Sequence, residues 1–372
     1  MNFLELCARR DGLFLDGKRF NIKGASYFGM ETDILVPHGL WGGDASTTLE
    51  AVAGLLAANA FNLVRLPLAA SAVIENVAVD RYKMGNETRL LDAFAGRQLH
   101  YLDVLDYVVT ELAKHRVLVL LDVHVLSPGG PITPLWYDPQ RPATRTWIGD
   151  AWEVLARRYA SSWNVVAADL KNEPHGAARW GSGDPDSDWR LAARGLAERV
   201  LRLCPRWLIF VEGVQFATSD DASSARPCFW GESLQDVRTA VPLELCVPER
   251  LVFSPHVYGP DVAEQSYFRD ARFPAHLPSV WDTHFGFVSA QRLAPLVIGE
   301  WGGKYRSERD CAWQDAFATY LRERSIGSVY WCVNPNSGDT EGLLEADWRT
   351  PRAAKLRLLS AFKGSDVPLP GV

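Results

Sequence analysis

Eight short apolar runs recur along the chain, and predicted helices separate most of them. Most of these runs are apolar on both faces, a pattern that indicates parallel strands covered by helices. Eight such units in 372 residues predict an α/β fold, a closed (β/α)8 TIM barrel with long loops on its C-terminal face. The candidate strands are Phe20–Phe28, Phe61–Pro67, Val117–His124, Val165–Glu173, Trp207–Gly213, Leu251–Tyr258, Leu296–Trp301 and Ser328–Cys332.

An open, doubly wound sheet is the alternative architecture. Such a sheet normally has a glycine-rich, phosphate-binding turn after its first strand, and the sequence has none. A capping box at Thr47–Glu50 predicts a helix that extends to about Ala60. The other predicted helices are Tyr101–His115, Ile148–Tyr159, Trp189–Leu203, Arg309–Arg324 and Arg352–Phe362.

The Asp16-Gly17 pair within Leu13–Phe20 lies between apolar residues and predicts an N-terminal β-hairpin. In a barrel, this hairpin would cover the bottom, at the N-terminal ends of the strands. We find no internal repeat, low-complexity segment or linker. Residues 1–372 are therefore expected to form a single domain.

Composition and charge narrow the possible partners. The net charge is −6 with no basic block, which argues against nucleic acid and fits an uncharged substrate. No segment approaches membrane-spanning length, so no membrane partner is expected, and no signal peptide is visible. We expect a monomer that is cytoplasmic, or secreted with its leader absent from this sequence. The six cysteines show no metal-binding spacing.

Polar and aromatic residues collect at the ends of the predicted strands. Active sites of such barrels lie at the C-terminal ends of the strands, so seven strands direct these residues to one face. The strand-end residues are Tyr27, Arg65, His124, Asn172, Glu173, His256, Tyr258, Glu300 and Trp331.

Glu173 and Glu300 share a local pattern in which an apolar strand ends at a carboxylate. Strands four and seven lie on opposite sides of an eight-stranded barrel, so their inward carboxyl groups can approach to about 5 Å. That separation is typical of a retaining glycosidase, in which one carboxylate attacks the anomeric carbon and the other protonates the leaving oxygen. The alternative is that each Glu is a structural hydrogen-bond acceptor.

The neighbouring residues distinguish the two roles. Arg65 and Tyr258 would keep Glu300 ionised, as a nucleophile requires. Glu173 faces that charge, which would raise its pKa and make it the proton donor.

Asn172, His124 and His256 are expected to contact substrate hydroxyl groups, with Asn172 at the sugar 2-hydroxyl. The two histidines could instead be metal ligands. The sequence shows no three-ligand spacing, so neither a catalytic metal nor a cofactor is expected. Asp122 and Glu212 lie near strand ends and are interpreted as support for the site.

The chain has 14 tryptophans, and an indole face can stack on a sugar ring. Four lie on predicted helices and are expected in the core: Trp152, Trp163, Trp189 and Trp313. Five follow strands in loops and are candidate sugar platforms: Trp41, Trp136, Trp180, Trp230 and Trp281.

With these features, the chain resembles glycoside hydrolase family 5 over nearly its whole length. Within that family it is most similar to the bacterial endo-1,4-β-glucanase (cellulase) branch. The resemblance implies a barrel, a retaining mechanism without cofactor and a β-linked glucan substrate, with Glu173 as acid/base and Glu300 as nucleophile. The other functional positions of the family would fall on Arg65, His124, Asn172, His256, Tyr258 and Trp331. The matching segments are Gly24–Thr32, His38–Trp41, Asn62–Pro67, Leu121–His124, Asn172–His175, Asp188–Ala193, Ile209–Gln215, Ser254–Tyr258, Gly299–Gly302 and Asn334–Thr340.

Several positions depart from that branch. Tyr27 and Val333 stand where Trp is common, and Asp33 and Ser127 lie in loops that often contain Cys. Fewer stacking faces favour shorter oligosaccharides, mixed-linkage glucan or a glycoconjugate over crystalline cellulose. A β-mannanase, an exo-β-glucosidase or a transglycosylase would use the same machinery. A non-catalytic sugar-binding barrel is the alternative of a different class, although it has no need of two close carboxylates.

Overall fold

The computed structural model describes residues 3–217 and 228–370, and its centre is an eight-stranded parallel sheet. Each strand pairs with its neighbours in sequence, and the first pairs with the eighth. Bridges from Phe253 to Leu296 and from His256 to Glu300 join the sixth and seventh strands, so the sheet is nearly closed. The predicted barrel is confirmed. Its strands are β1 (Lys23–Ser26), β2 (Leu63–Ala69), β3 (Leu118–Val125), β4 (Val165–Asp169), β5 (Leu208–Val211), β6 (Leu251–Phe253), β7 (Val297–Trp301) and β8 (Gly327–Tyr330).

The two faces of the barrel strands belong to different cores, as β3 illustrates. Leu118 and Leu120 pack in the core inside the lower barrel, whereas Val119 packs in the core between sheet and helices. Side chains alternate along a strand, so Asp122 and His124 continue the inward row. The interior is therefore apolar at the N-terminal ends of the strands and polar at the C-terminal ends.

A three-stranded antiparallel sheet covers the bottom of the barrel. Asp16 and Gly17 both have positive φ (49° and 77°), as a two-residue hairpin turn of this type requires. Leu13 and Phe20 pack in the same core as the lower barrel residues. The predicted hairpin is confirmed, and one further strand precedes it. The three strands are Leu6–Arg9, Gly12–Leu15 and Lys18–Phe20.

Helices surround most of the barrel. The predicted capping box is displaced by one residue, because Thr48 is the N-cap and accepts a hydrogen bond from the backbone N of Ala51. Several short helices were not predicted, since they contain too few turns to show a periodic pattern. The helices are α1 (Leu49–Ala58), α2 (Ala70–Glu75), α3 (Thr88–Ala93), α4 (Tyr101–Lys114), α5 (Trp147–Tyr159), α6 (Trp189–Leu203), α7 (Leu277–Trp281), α8 (Phe287–Ala290), α9 (Glu308–Arg324) and α10 (Ala353–Leu359).

The remaining regular elements are short. A π-helical turn, Asp282–Gly286, joins α7 to α8. Within residues 3–217 and 228–370, no helix combines the length and apolar character needed to cross a membrane. The short elements are the antiparallel pair Ala78–Val79 and Leu99–His100, and the 3-10 turns Arg81–Met84, Pro142–Thr146, Gln235–Arg238 and Ser266–Arg269.

Candidate active site

Arg65, in β2, is fully buried at the centre of the strand ends. Its Nε donates to Oδ2 of Asp169 at 2.9 Å, and its guanidinium also donates to Oε1 of Glu300. Nη2 donates to Oδ1 of Asn172 at 2.9 Å and lies 3.1 Å from Oδ2 of Asp122. Burial opposes this positive charge, but the surrounding carboxylates outweigh it and raise the pKa of Arg65 well above its ordinary value. One permanent cation thus joins the ends of β2, β3, β4 and β7.

Glu300 lies in β7 and is nearly inaccessible to solvent, at 3% exposure. Arg65 donates to its Oε1, and the hydroxyl of Tyr258 donates to its Oε2 at 2.5 Å. Burial raises the pKa of Glu300, whereas the charge of Arg65 and the hydrogen bond from Tyr258 act in the opposite direction. Both oxygens are therefore held by donors that favour the ionised form.

Glu173 follows β4 and adopts a left-handed backbone conformation, with φ of 53°. This conformation is uncommon for residues other than glycine, and hydrogen bonds on both sides hold it. The backbone N of Glu173 donates to Oε2 of Glu212 at 2.9 Å. Its carbonyl accepts from Nδ1 of His175 at 2.8 Å and from Nζ of Lys171 at 3.3 Å. These hydrogen bonds fix the backbone at Glu173 and therefore the position from which its side chain extends.

The two glutamates face each other across the barrel, and one carboxylate oxygen from each lies within 4.8 Å of the other. Burial, followed by the charge of Glu300, raises the pKa of Glu173 well above its ordinary value. Glu173 has no direct hydrogen bond from Arg65, unlike Glu300. The first proton bound by the pair therefore belongs on Glu173.

One ring nitrogen of His256 lies close to both glutamates. Its Nδ1 lies 3.2 Å from Oε1 of Glu173 and 3.5 Å from Oε2 of Glu300. Its Nε2 lies 3.2 Å from Oε1 of Glu212. Burial lowers the pKa of His256 well below its ordinary value, so the ring is neutral. A Cβ on Gly299 would lie 2.7 Å from Nε2, so the glycine makes room for this ring.

His124 and Asn172 form another part of the site. Nδ1 of His124 lies 2.7 Å from Oδ2 of Asp122, and Nε2 lies 3.4 Å from Nδ2 of Asn172. Burial lowers the pKa of His124 to about 3 and raises that of Asp122 to about 7. The indole of Trp331 stacks on His124 with ring centroids 5.7 Å apart. Neutral donors and acceptors beside an aromatic face are suited to an uncharged sugar.

These groups line a cleft of about 450 Å³. Trp230 is 40% exposed and stacks on His175, with ring centroids 3.7 Å apart and planes at 6°. It lines the cleft on the side of Glu173, so its free face is available to a ligand. The structure brings these predicted site residues to the cleft: His124, Asn172, Glu173, Trp230, Tyr258, Glu300 and Trp331.

Comparison with known proteins agrees with this geometry. The profile of the family described as Cellulase (glycosyl hydrolase family 5) matches residues 15–337. The chain belongs to that family. It is 37% identical to an endoglucanase from Paenibacillus polymyxa over 346 residues, which span 92% of this chain and 83% of the relative. The predicted family is therefore confirmed, and the protein is a glycoside hydrolase.

Solved structures of other family members superpose on most of the barrel. The catalytic domain of the major endoglucanase from Xanthomonas campestris pv. campestris is 37% identical, with a TM-score of 0.81 over 93% of this chain and 95% of that one. The endocellulase of the archaeon Pyrococcus horikoshii is 33% identical, with a TM-score of 0.85 over 96% and 98%. Complexes of variants of that enzyme with cellotetraose have been solved.

Two of the five predicted sugar platforms of this family 5 enzyme, Trp180 and Trp281, are wrong, as is the expectation that the strand-end residue Tyr27 faces the cleft. Tyr27 is only 1% exposed and donates its hydroxyl to the carbonyl of His38 at 2.7 Å, so it offers no face to a sugar. Trp180 is 2% exposed and Trp281 is fully buried, so both belong to the core. The loops that follow the strands fold back over these rings, which strand-end position alone does not reveal.

Trp41 and Trp136 are half-buried and do not line the cleft. The indole N of Trp41 donates to the carbonyl of Ala45 at 3.0 Å, and its ring meets Trp348 edge-on at 5.4 Å. Trp136 packs against Trp189 with ring centroids 6.0 Å apart. Both side chains stabilise loops around the barrel mouth.

Two groups of side chains in the site place three potential metal ligands within 4.8 Å of one another: Glu173, His256 and Glu300, and Asp169, Glu212 and His256. Arg65 already contacts both Glu300 and Asp169. Its guanidinium supplies the positive charge that a cation would otherwise bring to these carboxylates.

Sequence reasoning missed Lys171 and Asp169. Lys171 is buried, and its Nζ donates to the carbonyls of Thr133 at 2.7 Å and Asn172 at 2.5 Å. Burial lowers its pKa to about 8. Asp169, Lys171 and Glu173 occupy every second position, and this alternation of charged residues at a strand end is the signal that could have identified them.

Proposed function

We propose that this enzyme cleaves internal β-1,4-glucosidic bonds of cellulose or soluble β-glucan by a retaining, two-step mechanism. The observation that carries the proposal is the pair of carboxyl groups within 4.8 Å of each other in unequal surroundings. The endoglucanase relatives support glucan as the substrate class. We further propose that residues 1–372 act as one catalytic domain and as a monomer.

In the first step, Glu300 attacks the anomeric carbon while Glu173 protonates the oxygen of the departing sugar. Attack consumes the charge of Glu300, because the carboxylate becomes an ester. Arg65 and Tyr258 hold both oxygens of Glu300, which fixes the attacking atom in place. The bond to the leaving sugar breaks as the bond to Glu300 forms.

In the second step, a water molecule cleaves the ester, and Glu173 accepts its proton. Glu300 is then uncharged and no longer raises the pKa of Glu173, so Glu173 is more readily ionised and its carboxylate can accept that proton. Each step inverts the anomeric carbon, so the product retains the original configuration.

The walls of the cleft position the sugar. Asn172 and the neutral ring of His124 line the cleft and supply hydrogen-bonding groups for hydroxyls. His256, which was expected to contact a hydroxyl, is fully buried and does not line the cleft, so it acts through the two glutamates instead. Trp331 and Trp230 both line the cleft and supply stacking faces. The cleft therefore combines few polar groups with flat apolar surfaces, as carbohydrate recognition requires.

Two isosteric variants test the roles. Glu300→Gln should abolish hydrolysis of both soluble β-glucan and an activated aryl β-cellobioside, because no nucleophile remains. Glu173→Gln should abolish β-glucan hydrolysis but still release a burst of the aryl leaving group, which departs without protonation. Glu198→Gln on α6, an exposed residue paired with Arg194, is the control and should keep full activity.

Product analysis tests the endo-acting mode and the stereochemical outcome. Endo-acting cleavage should lower the viscosity of β-glucan before reducing sugar accumulates, and NMR should show the β-anomer first. Full activity of Glu300→Gln, or an α-anomer as the first product, would overturn the proposed mechanism.

A further inference from the structure

A second cluster of reactive side chains lies in the wall of the cleft, away from the catalytic pair. Cys228, Glu232 and His284 place a sulfur, an oxygen and a nitrogen within 4.8 Å of one another. Sγ of Cys228 lies 3.7 Å from Nδ1 of His284, and Oε1 of Glu232 lies 2.7 Å from the same nitrogen. Cys228 also lines the cleft, so the cluster borders the space that a ligand enters.

The convergence on one nitrogen distinguishes this cluster from a nucleophilic triad. In a Cys-His-acid triad the thiol and the acid contact opposite nitrogens of the imidazole. Here the thiol and the carboxylate approach the same one. Tetrahedral zinc with ordinary bond lengths separates a thiolate sulfur from an imidazole nitrogen by about 3.6 Å. The observed 3.7 Å between Sγ and Nδ1 is close to that value.

A neighbouring tyrosine gives a second, independent observation. The hydroxyl of Tyr267 is buried and has no hydrogen-bond partner among the described residues. Its ring meets His284 edge-on, with centroids 5.7 Å apart. An unsatisfied buried hydroxyl is costly unless a further group, such as a metal-bound water, completes it.

We propose that Cys228, Glu232 and His284 bind a divalent, zinc-like cation. Three protein ligands from Cys, Glu and His leave a fourth position for water. Binding releases the thiol proton of Cys228 to solvent, since the thiolate is the ligand. The proton between Nδ1 of His284 and Oε1 of Glu232 moves to Nε2 or to solvent. The cation takes its place, and the 2.7 Å gap between these atoms opens.

This site is connected to the acid/base residue by one short segment. Glu232 Oε2 accepts from the backbone N of Phe229 at 2.7 Å. The backbone N of Gly231 donates to the carbonyl of Pro174 at 3.2 Å, and Pro174 is the residue that follows Glu173. A cation that moves the Glu232 carboxylate therefore acts on the loop that supports Glu173. We expect saturable inhibition of hydrolysis by Zn²⁺.

The test measures binding of the metal alone to the full chain after treatment with a chelator. Co²⁺ should give a thiolate-to-cobalt charge-transfer absorption, and Zn²⁺ should displace it with one equivalent. Cys228→Ser should remove the absorption and weaken Zn²⁺ binding by at least about 100-fold, because a ligand is lost outright. Cys246→Ser is the matched control, since Cys246 is exposed and outside the cluster, and it should leave both unchanged.

His284→Gln is the second variant, in case Cys228→Ser alters the loop, and circular dichroism confirms folding of each. It should also weaken Zn²⁺ binding. The proposal is overturned if Cys228→Ser and His284→Gln bind Zn²⁺ as the wild type does. It is equally overturned if Glu300→Gln, which leaves the cluster intact, removes the Zn²⁺ site, because the metal would then bind the catalytic pair. These readouts do not depend on turnover, so failure of the proposed glucanase function would not affect them.

Discussion

The hydroxyl of Tyr258 donates to Oε2 of Glu300 at 2.5 Å, and Tyr258→Phe removes this bond alone. The bond favours the ionised carboxylate, and the change should therefore raise the pKa of Glu300. The form that attacks becomes scarcer at low pH. The acidic limb of the profile of kcat/KM against pH should move to higher pH.

The size of this shift follows from the strength of the bond. A hydrogen bond to a charged group contributes about 1.5–3 kcal/mol. One pKa unit corresponds to about 1.4 kcal/mol. The acidic limb should therefore move by about one to two pH units. Activity at a pH on that limb should fall by roughly 10- to 100-fold.

Tyr320→Phe is the matched control. Tyr320, on α9, is 1% exposed and does not line the cleft, and its hydroxyl donates to Oδ1 of Asp282 at 2.8 Å. The control removes the same group from the same kind of acceptor and should leave the acidic limb in place. Initial rates on soluble β-glucan across the pH range measure both variants. An unmoved limb in Tyr258→Phe, or an equal shift in Tyr320→Phe, would refute the reasoning.

Three further changes test separate parts of the site. Gly231→Ala should remove activity, because the new Cβ would lie 2.1 Å from Oε2 of Glu212. Gly183→Ala is the control: Gly183 also has positive φ, but a Cβ there would meet nothing within 4 Å, so this change should only lower the free energy of unfolding by about 1–2 kcal/mol. Trp230→Ala should raise KM on β-glucan by up to about tenfold, with a smaller effect on kcat, because one stacking face is lost. Burial raises the pKa of Asp169 to about 7, so the folded state binds more protons than the unfolded state between about pH 4 and 7. Its contribution to the free energy of unfolding should fall as pH rises through that window, and Asp169→Asn should flatten this dependence in denaturant titrations.

The sequence predicted the barrel and the catalytic pair because both depend on periodic patterns. Inward positions of a strand recur every second residue, so Asp122 and His124 follow the buried Leu118 and Leu120 in one row. The change from apolar to polar along that row marks the C-terminal end of the barrel. Arg65 was visible for the same reason, since a charged residue inside an apolar strand requires partners.

The loops were not predictable in the same way. Tyr27 and Trp230 are both aromatic residues near strand ends, yet one is 1% and the other 40% exposed. The difference arises from tertiary contacts, such as the bond from Tyr27 to the carbonyl of His38. The cluster of Cys228, Glu232 and His284 was invisible for a related reason, because its third member comes from the π-helical turn after α7, 52 residues beyond Glu232.

The site holds more carboxyl groups than cations, and this imbalance leads to one more prediction about Glu173. Five carboxyl groups surround the cations Arg65 and Lys171: those of the buried residues Asp122, Asp169, Glu212 and Glu300, and that of Glu173, which is 12% exposed. Burial disfavours uncompensated charge, so several carboxyls must be protonated, and the donors on Glu300 leave it the best able to remain ionised.

Part of the raised pKa of Glu173 is thus imposed by Glu300 rather than by its own position. Glu300→Gln removes that charge with little change in volume, so the pKa of Glu173 should fall while staying above its ordinary value, because burial remains the larger cause. A carboxyl-selective infrared or ¹³C NMR titration of Glu300→Gln and wild type would measure this. A pKa of Glu173 that does not change would mean that burial alone makes it an acid. The exchange of roles between the two steps would then need another source.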